Sequence, residues 1–155
     1  MQPLPCSPPG TVTVDNSLGA VTASGMQFAV DGYVITGDPL TLVGNQAIVR
    51  VGDGTSAGAG YTAQIDAVLQ GDSTLVKTDL GTLVLTGVNT YTGGTAINGG
   101  TLAVAADTAL GAGNGALSFD SGTLRFDAAF DVGSIRAITL NAGGGTVDTN
   151  GFNTK

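Results

Sequence analysis

One three-residue step recurs through the second half of this chain and restricts what it can fold into. Gly81-Thr82-Leu83, Gly100-Thr101-Leu102, Gly122-Thr123-Leu124 and Gly145-Thr146-Val147 follow at intervals of 19, 22 and 23 residues, and Gly10-Thr11-Val12 opens the series near the N-terminus. Each step starts a short alternating run, with Leu83 and Leu85, Leu102 and Val104, and Leu124 and Phe126 on one face. Alternation of period two is the mark of a strand with one buried side. Further short strands lie between the steps, at Ala116–Phe119 and Ala137–Leu140.

The first half keeps the rhythm less strictly. Strands are predicted at 12–15, 26–30, 33–36, 40–43, 47–51, 61–65 and 74–77. Asp31-Gly32, Gly37-Asp38-Pro39, Gly52-Asp53-Gly54 and Gly71-Asp72 separate most of them, and Asn98-Gly99 and Asn114-Gly115 continue the series in the second half. Such pairs turn a chain cheaply because Gly and Asn accept positive φ. Helix is confined to single turns at 105–110 and 127–130, both too short to be stable alone.

Several short strands in a repeat of this length predict a solenoid. The expected fold is all-β, a parallel β-helix of roughly seven coils; at ~4.8 Å per coil it makes a rod roughly 30–35 Å long. The alternative is an antiparallel β-sandwich, which also gives short, evenly spaced strands. Residues 1–9 are expected to be a flexible Pro-rich arm carrying the lone Cys6 as a free thiol. Residues 10–155 are expected to form a single β-helix segment.

Composition narrows the chemistry. The chain of 155 residues has no His, and all 12 acidic residues are Asp. Without His there is no Ser-His-Asp or Cys-His unit, and one Cys without His makes a zinc site untenable. Five basic residues against a net charge of −7 exclude a phosphate-binding face, so nucleic acid is not an expected partner. No apolar run approaches the ~20 residues of a spanning helix, so no membrane insertion by this segment is expected. The opening residues lack the basic and apolar regions of a signal peptide. The C-terminus falls inside a strand-and-turn pattern, which predicts a fragment of something longer.

Motifs that imitate chemistry are better explained by the repeat. Phe119-Asp120-Ser121-Gly122-Thr123 is similar to the Asp-Ser/Thr-Gly-Thr loop of aspartic proteases, which needs two such Asp residues. One copy is present, in register with the Gly-Thr-Leu series. Gly52-Asp53-Gly54 and Gly111-Ala112-Gly113-Asn114-Gly115 lack the Gly-Lys-Ser/Thr of a phosphate loop. Scattered Asp offers oxygen ligands to calcium, but no spacing demands it. Arg50, Arg125 and Arg136 are the only arginines, a thin supply for a polysaccharide-cleaving β-helix. Thr11/Thr13 and Thr90/Thr92 are isolated Thr-x-Thr pairs, so no flat Thr array of the ice-binding kind is expected. No catalytic, cofactor or metal residues are assigned.

The run from Gly81 to Leu102, with Gly87, Asn89, Thr90, Tyr91, Thr92, Gly93, Gly94 and Thr95 between two Gly-Thr-Leu strands, resembles the passenger-associated transport repeat of autotransporters. The resemblance is strong over 73–104 and looser over the rest of 10–155. It implies a right-handed parallel β-helix on the surface of a Gram-negative bacterium, with a signal peptide and an outer-membrane barrel outside this stretch. It implies a role in passenger folding and secretion, and adhesion, aggregation or host interaction for the passenger as a whole. The expected function is therefore a structural and folding segment without catalysis. The alternatives are an adhesin module that binds a host or matrix ligand directly, or a carbohydrate-active β-helix enzyme. The expected partners are a host-cell or matrix ligand and further copies associating through exposed coil ends. Within the repeat, Asn89 is expected to cap its own turn, Gly93-Gly94 to reverse the chain, and Tyr91 to lay its ring over the neighbouring coil.

Overall fold

The computed structural model describes residues 9–154; Cys6 and most of the expected Pro-rich arm lie outside the described residues. The first three coils each carry three strands. They are β1 (Thr11–Val14), β2 (Thr22–Ala23) and β3 (Gly25–Phe28); β4 (Tyr33–Gly37), β5 (Leu40–Leu42) and β6 (Gln46–Val51); and β7 (Thr62–Ile65), β8 (Leu69–Gly71) and β9 (Thr74–Thr78). The next three carry two: β10 (Thr82–Leu85) and β11 (Thr95–Ile97), β12 (Thr101–Val104) and β13 (Leu117–Phe119), and β14 (Gly122–Phe126) and β15 (Ile138–Leu140). Strand β16 (Gly145–Asp148) begins one more.

Like strands of successive coils pair in parallel. One sheet of seven strands runs β1-β4-β7-β10-β12-β14-β16, one of six runs β3-β6-β9-β11-β13-β15, and one of three runs β2-β5-β8. This is a parallel β-solenoid of about six turns, not a sandwich. Adjacent strands are a full coil apart in sequence, so nearly every contact is made between neighbouring turns.

The Gly-Thr step sets the register of the long sheet. Thr62, Thr82, Thr101, Thr123 and Thr146 stand directly above one another. Gly10-Thr11-Val12 does not join this column: Thr11 pairs with Val34, which pairs with Gln64, two residues further along the strand. The glycine of the step answers to space. A Cβ on Gly81 would stand 2.7 Å from the carbonyl oxygens of Tyr61 and Val51, and one on Gly122 would overlap Ile97.

Inward positions fill the coil. Ile35, Ile65, Leu85, Val104 and Phe126 make one stacked column, and Ala63, Leu83, Leu102 and Leu124 the next, all buried. On the opposite sheet, Leu117 and Phe119 are buried as expected. Ile138 and Leu140 were expected in the core; they continue its columns but, on the edge strand β15, are 57% and 63% exposed. A 3-10 turn spans Asp107–Leu110, within the expected 105–110. A second, at Ser56–Gly60, was not expected, and 127–130 is not helical.

Candidate functional site

The densest set of buried polar groups lies where the third sheet ends. After β10 the chain carries Gly87 to Gly94 round a corner without forming a strand, yet continues the ladder: Thr90 N–H donates to Leu69 C=O and Thr92 N–H to Gly71 C=O. Asn89 replaces the missing ladder bonds. Its side-chain oxygen accepts from Leu69 N–H at 2.8 Å and its amide donates to Ala109 C=O at 2.7 Å, each twenty residues away. The expectation that Asn89 caps its own turn is corrected: it joins the coil before to the coil after.

Tyr91 lays its ring against Gly111 of the neighbouring coil and is fully buried, with its hydroxyl 2.7 Å from that of Thr95. Thr95 in turn donates to Leu110 C=O at 3.1 Å. Burial pushes the Tyr91 phenol well above its ordinary range, so it stays protonated. Gly93 has Ser73 and Thr74 backbone against it, and Gly111, with φ +82°, lies against the Tyr91 ring. The corner reverses the chain as expected, but its side chains point to structure within the stack.

Two cations are buried beside it. Lys77 stands in register between Val49 and Ile97, and its ammonium donates to the carbonyls of Thr78 (2.9 Å), Asp79 (3.1 Å) and Gly99 (3.2 Å). Loss of hydration lowers its pKa to about 8, despite the opposing pull of Asp79. The Arg136 side chain is fully buried; it forks onto both oxygens of Asp107 and donates to the carbonyls of Leu110, Ala112 and Gly115. Burial works against the Asp107 carboxylate, but Arg136 and the Gly133 N–H outweigh it and hold its pKa below the ordinary value.

The protease-like loop is a corner. Asp120 accepts from Gly143 N–H at 2.7 Å, and Ser121 adopts φ +73°. Gly52 and Gly54 belong to a loop where Asp79 accepts from Arg50 and Gly54 N–H. Arg125 pairs with Asp127 at 2.8 Å on the outer face of β14 and the following residues. Among the described residues no group of three or more His, Cys, Asp or Glu is placed to hold a metal ion. No helix among them is long and apolar enough to cross a membrane.

Outside the coil runs the column of Thr62, Thr82, Thr101, Thr123 and Thr146, half-buried at Thr82, Thr101 and Thr123 and exposed at Thr62 and Thr146. Two residues further along the strands stand Val34, Gln64, Val84 and Arg125, with Ala103 covered between Val84 and Arg125 and fully buried. The isolated Thr-x-Thr pairs of the sequence conceal this ladder, because its members are a coil apart.

The chain is a parallel solenoid whose corner is stitched by Asn89, Tyr91 and Thr95, and the repeat that holds this corner is similar to that of the autotransporter passenger class. Residues 75–104 match the passenger-associated-transport-repeat family. Over 145 residues, 94% of this chain, it is 56% identical to the adhesin BmaC autotransporter of Brucella suis biovar 1 (strain 1330). The chain spans 4% of that relative's length. No solved structure matches it. The class is exported to the cell surface of Gram-negative bacteria.

Proposed function

We propose that this segment is a structural and folding coil stack that supports the surface display of an adhesive passenger, with no catalytic role. The observation that supports this most directly is Asn89: the signature asparagine of the repeat is spent on joining Leu69 to Ala109, hence one coil to the next but one. Tyr91 and Thr95 are likewise committed inward. The adhesin name of the relative supports an adhesive role for the whole protein, while the short share of it covered here leaves that role to be carried by this segment or by others.

The test uses the full-length protein displayed on cells. Asn89→Ala combined with Tyr91→Phe is expected to reduce the protease-resistant passenger at the surface, with adhesion falling in proportion. Outward Thr82→Lys and Thr101→Lys are expected to leave display and adhesion unchanged.

A second reading rests on the outward threonine column of the long sheet. In it, that face contacts a host or matrix ligand directly. Loss of adhesion in the outward Lys variants at undiminished display would replace the first reading with this one. Self-association through the apolar coil ends belongs to either reading.

A further inference from the structure

Two loops meet where the third sheet has ended: 105–116 between β12 and β13, and 127–137 between β14 and β15. Arg136, in the second, reaches back into the first, and its side chain is fully buried there. We infer that residues 107–115 form a guanidinium-binding socket, a ligand site that Arg136 of the following coil fills within the same chain.

The socket matches the group donor by donor. A guanidinium carries five N–H bonds in one plane. Nε and Nη2 of Arg136 fork onto the two carboxylate oxygens of Asp107 at 3.1 and 3.0 Å. Nη1 donates to the carbonyls of Gly115 (2.7 Å), Ala112 (3.2 Å) and Leu110 (3.3 Å), and Nη2 also reaches Asp107 C=O at 3.4 Å. Every donor therefore has an acceptor without water, as burial of a charge demands. All of these acceptors come from one segment, so the socket does not depend on the loop that delivers the guanidinium.

That segment is held in shape from its other side. Asn89 N–H donates to Thr108 C=O and its side-chain amide to Ala109 C=O, Ala112 N–H donates to Tyr91 C=O, and the Thr95 hydroxyl donates to Leu110 C=O. Within it, Gly115 N–H closes onto Ala112 C=O. The repeat corner of one coil thus presents the carbonyls of the next to the arginine of the coil after. The acceptor set selects guanidinium over ammonium. A carboxylate that takes two parallel bonds beside three carbonyls fits a planar fork. The Lys77 ammonium, by contrast, gives its three hydrogen bonds to carbonyls, as suits three donors without a fixed plane.

The test empties the socket and supplies its ligand as a separate ion. Arg136→Ala is unfolded in urea with guanidinium chloride, methylammonium chloride or sodium chloride added at equal ionic strength, from millimolar to tens of millimolar, far below the concentrations at which guanidinium denatures. Guanidinium is expected to raise the variant's midpoint with the logarithm of its concentration. Each tenfold step above the dissociation constant should multiply the folded-to-unfolded ratio roughly tenfold. Methylammonium and sodium are expected to have no such effect, and the parent, whose socket is filled, to show none with any of the three. An equal response to the three salts, or none to guanidinium, overturns the inference. If Arg136→Ala has no folded state to titrate, Arg136→Lys decides. It keeps the charge but cannot fork onto Asp107, and is expected to unfold at a urea midpoint well below the parent's. A lysine variant as stable as the parent shows a socket without selectivity for guanidinium and overturns the inference.

Discussion

Lys77 stands directly beside Ile97 in the parallel ladder, so an ammonium group occupies a column otherwise filled by Val49, Ile97 and Phe119. Three corner carbonyls replace its water. Burial lowers its pKa from 10.5 to about 8. Between those values the unfolded chain binds more protons than the folded one, so stability must rise with pH. The full shift corresponds to roughly 3 kcal/mol, an upper bound given partial solvation of the group. The window to read is pH 8 to 10. Above 10, Tyr91, whose phenol burial pushes up, ionises only in the unfolded chain and takes stability away. In Lys77→Met the rise between pH 8 and 10 is expected to vanish. Its neutral-pH stability should stay within about 1 kcal/mol of the parent, as loss of the buried charge offsets loss of its hydrogen bonds. Denaturant unfolding across that range checks both.

Asn89→Ala leaves the Leu69 N–H and the Ala109 carbonyl without their partner inside the stack. Each buried unmet group costs about 1–3 kcal/mol, so a loss of about 2–6 kcal/mol is expected for the two. Val88→Ala, one residue away but 64% exposed, should change stability by no more than about 0.5 kcal/mol. Equal effects of the two in thermal unfolding would show that Asn89 does not bridge the coils.

The solenoid was legible in the sequence because its register is written in one repeated step. Gly81, Gly100, Gly122 and Gly145 precede threonines that do align. Gly10-Thr11-Val12 was misleading, for the same three residues sit two positions out of that column. The third sheet was hidden because β2 and β8 hold two and three residues, too few for alternation to register. Lys77 gave a signal that composition obscured: it alternates with Leu75 and so had to point inward with it. The roles of Asn89 and Arg136 had no local sign at all, since their partners lie a full coil or more away.

The step's glycines separate space from conformation. Gly122 does not have positive φ, but a methyl on it would overlap the Ile97 side chain and carbonyl. Gly122→Ala must push two coils apart and is expected to cost about 1–3 kcal/mol or more. Gly113 also lacks positive φ and has no heavy atom within 4 Å of a built Cβ. Gly113→Ala is expected to be neutral or to stabilise by about 0.4–1 kcal/mol through the unfolded chain. The pair, compared by denaturant midpoint, tests whether coil spacing selects glycine in the repeat.

The last coil leaves core positions open. Ile138, Leu140 and Val147 continue the columns of Leu117, Phe119 and Leu124 but are 57%, 63% and 53% exposed. At the other end, Val12 is 50% exposed beside a hollow lined by Met26, Phe28, Tyr33 and Ile35. Both ends also present edge strands, β1 and β3 at one and β15 and β16 at the other, and edge strands template further pairing. One end differs from the other, so contacts between copies would be head to tail and would not close. The chain is expected to associate with rising concentration, and Ile138→Asp with Leu140→Asp is expected to suppress this. Because both side chains are largely exposed, the double variant should unfold within about 1 kcal/mol of the parent. Sedimentation over a wide concentration range decides the matter: a parent that stays monomeric throughout, or a double variant that associates as strongly, removes the coil ends as the site of contact.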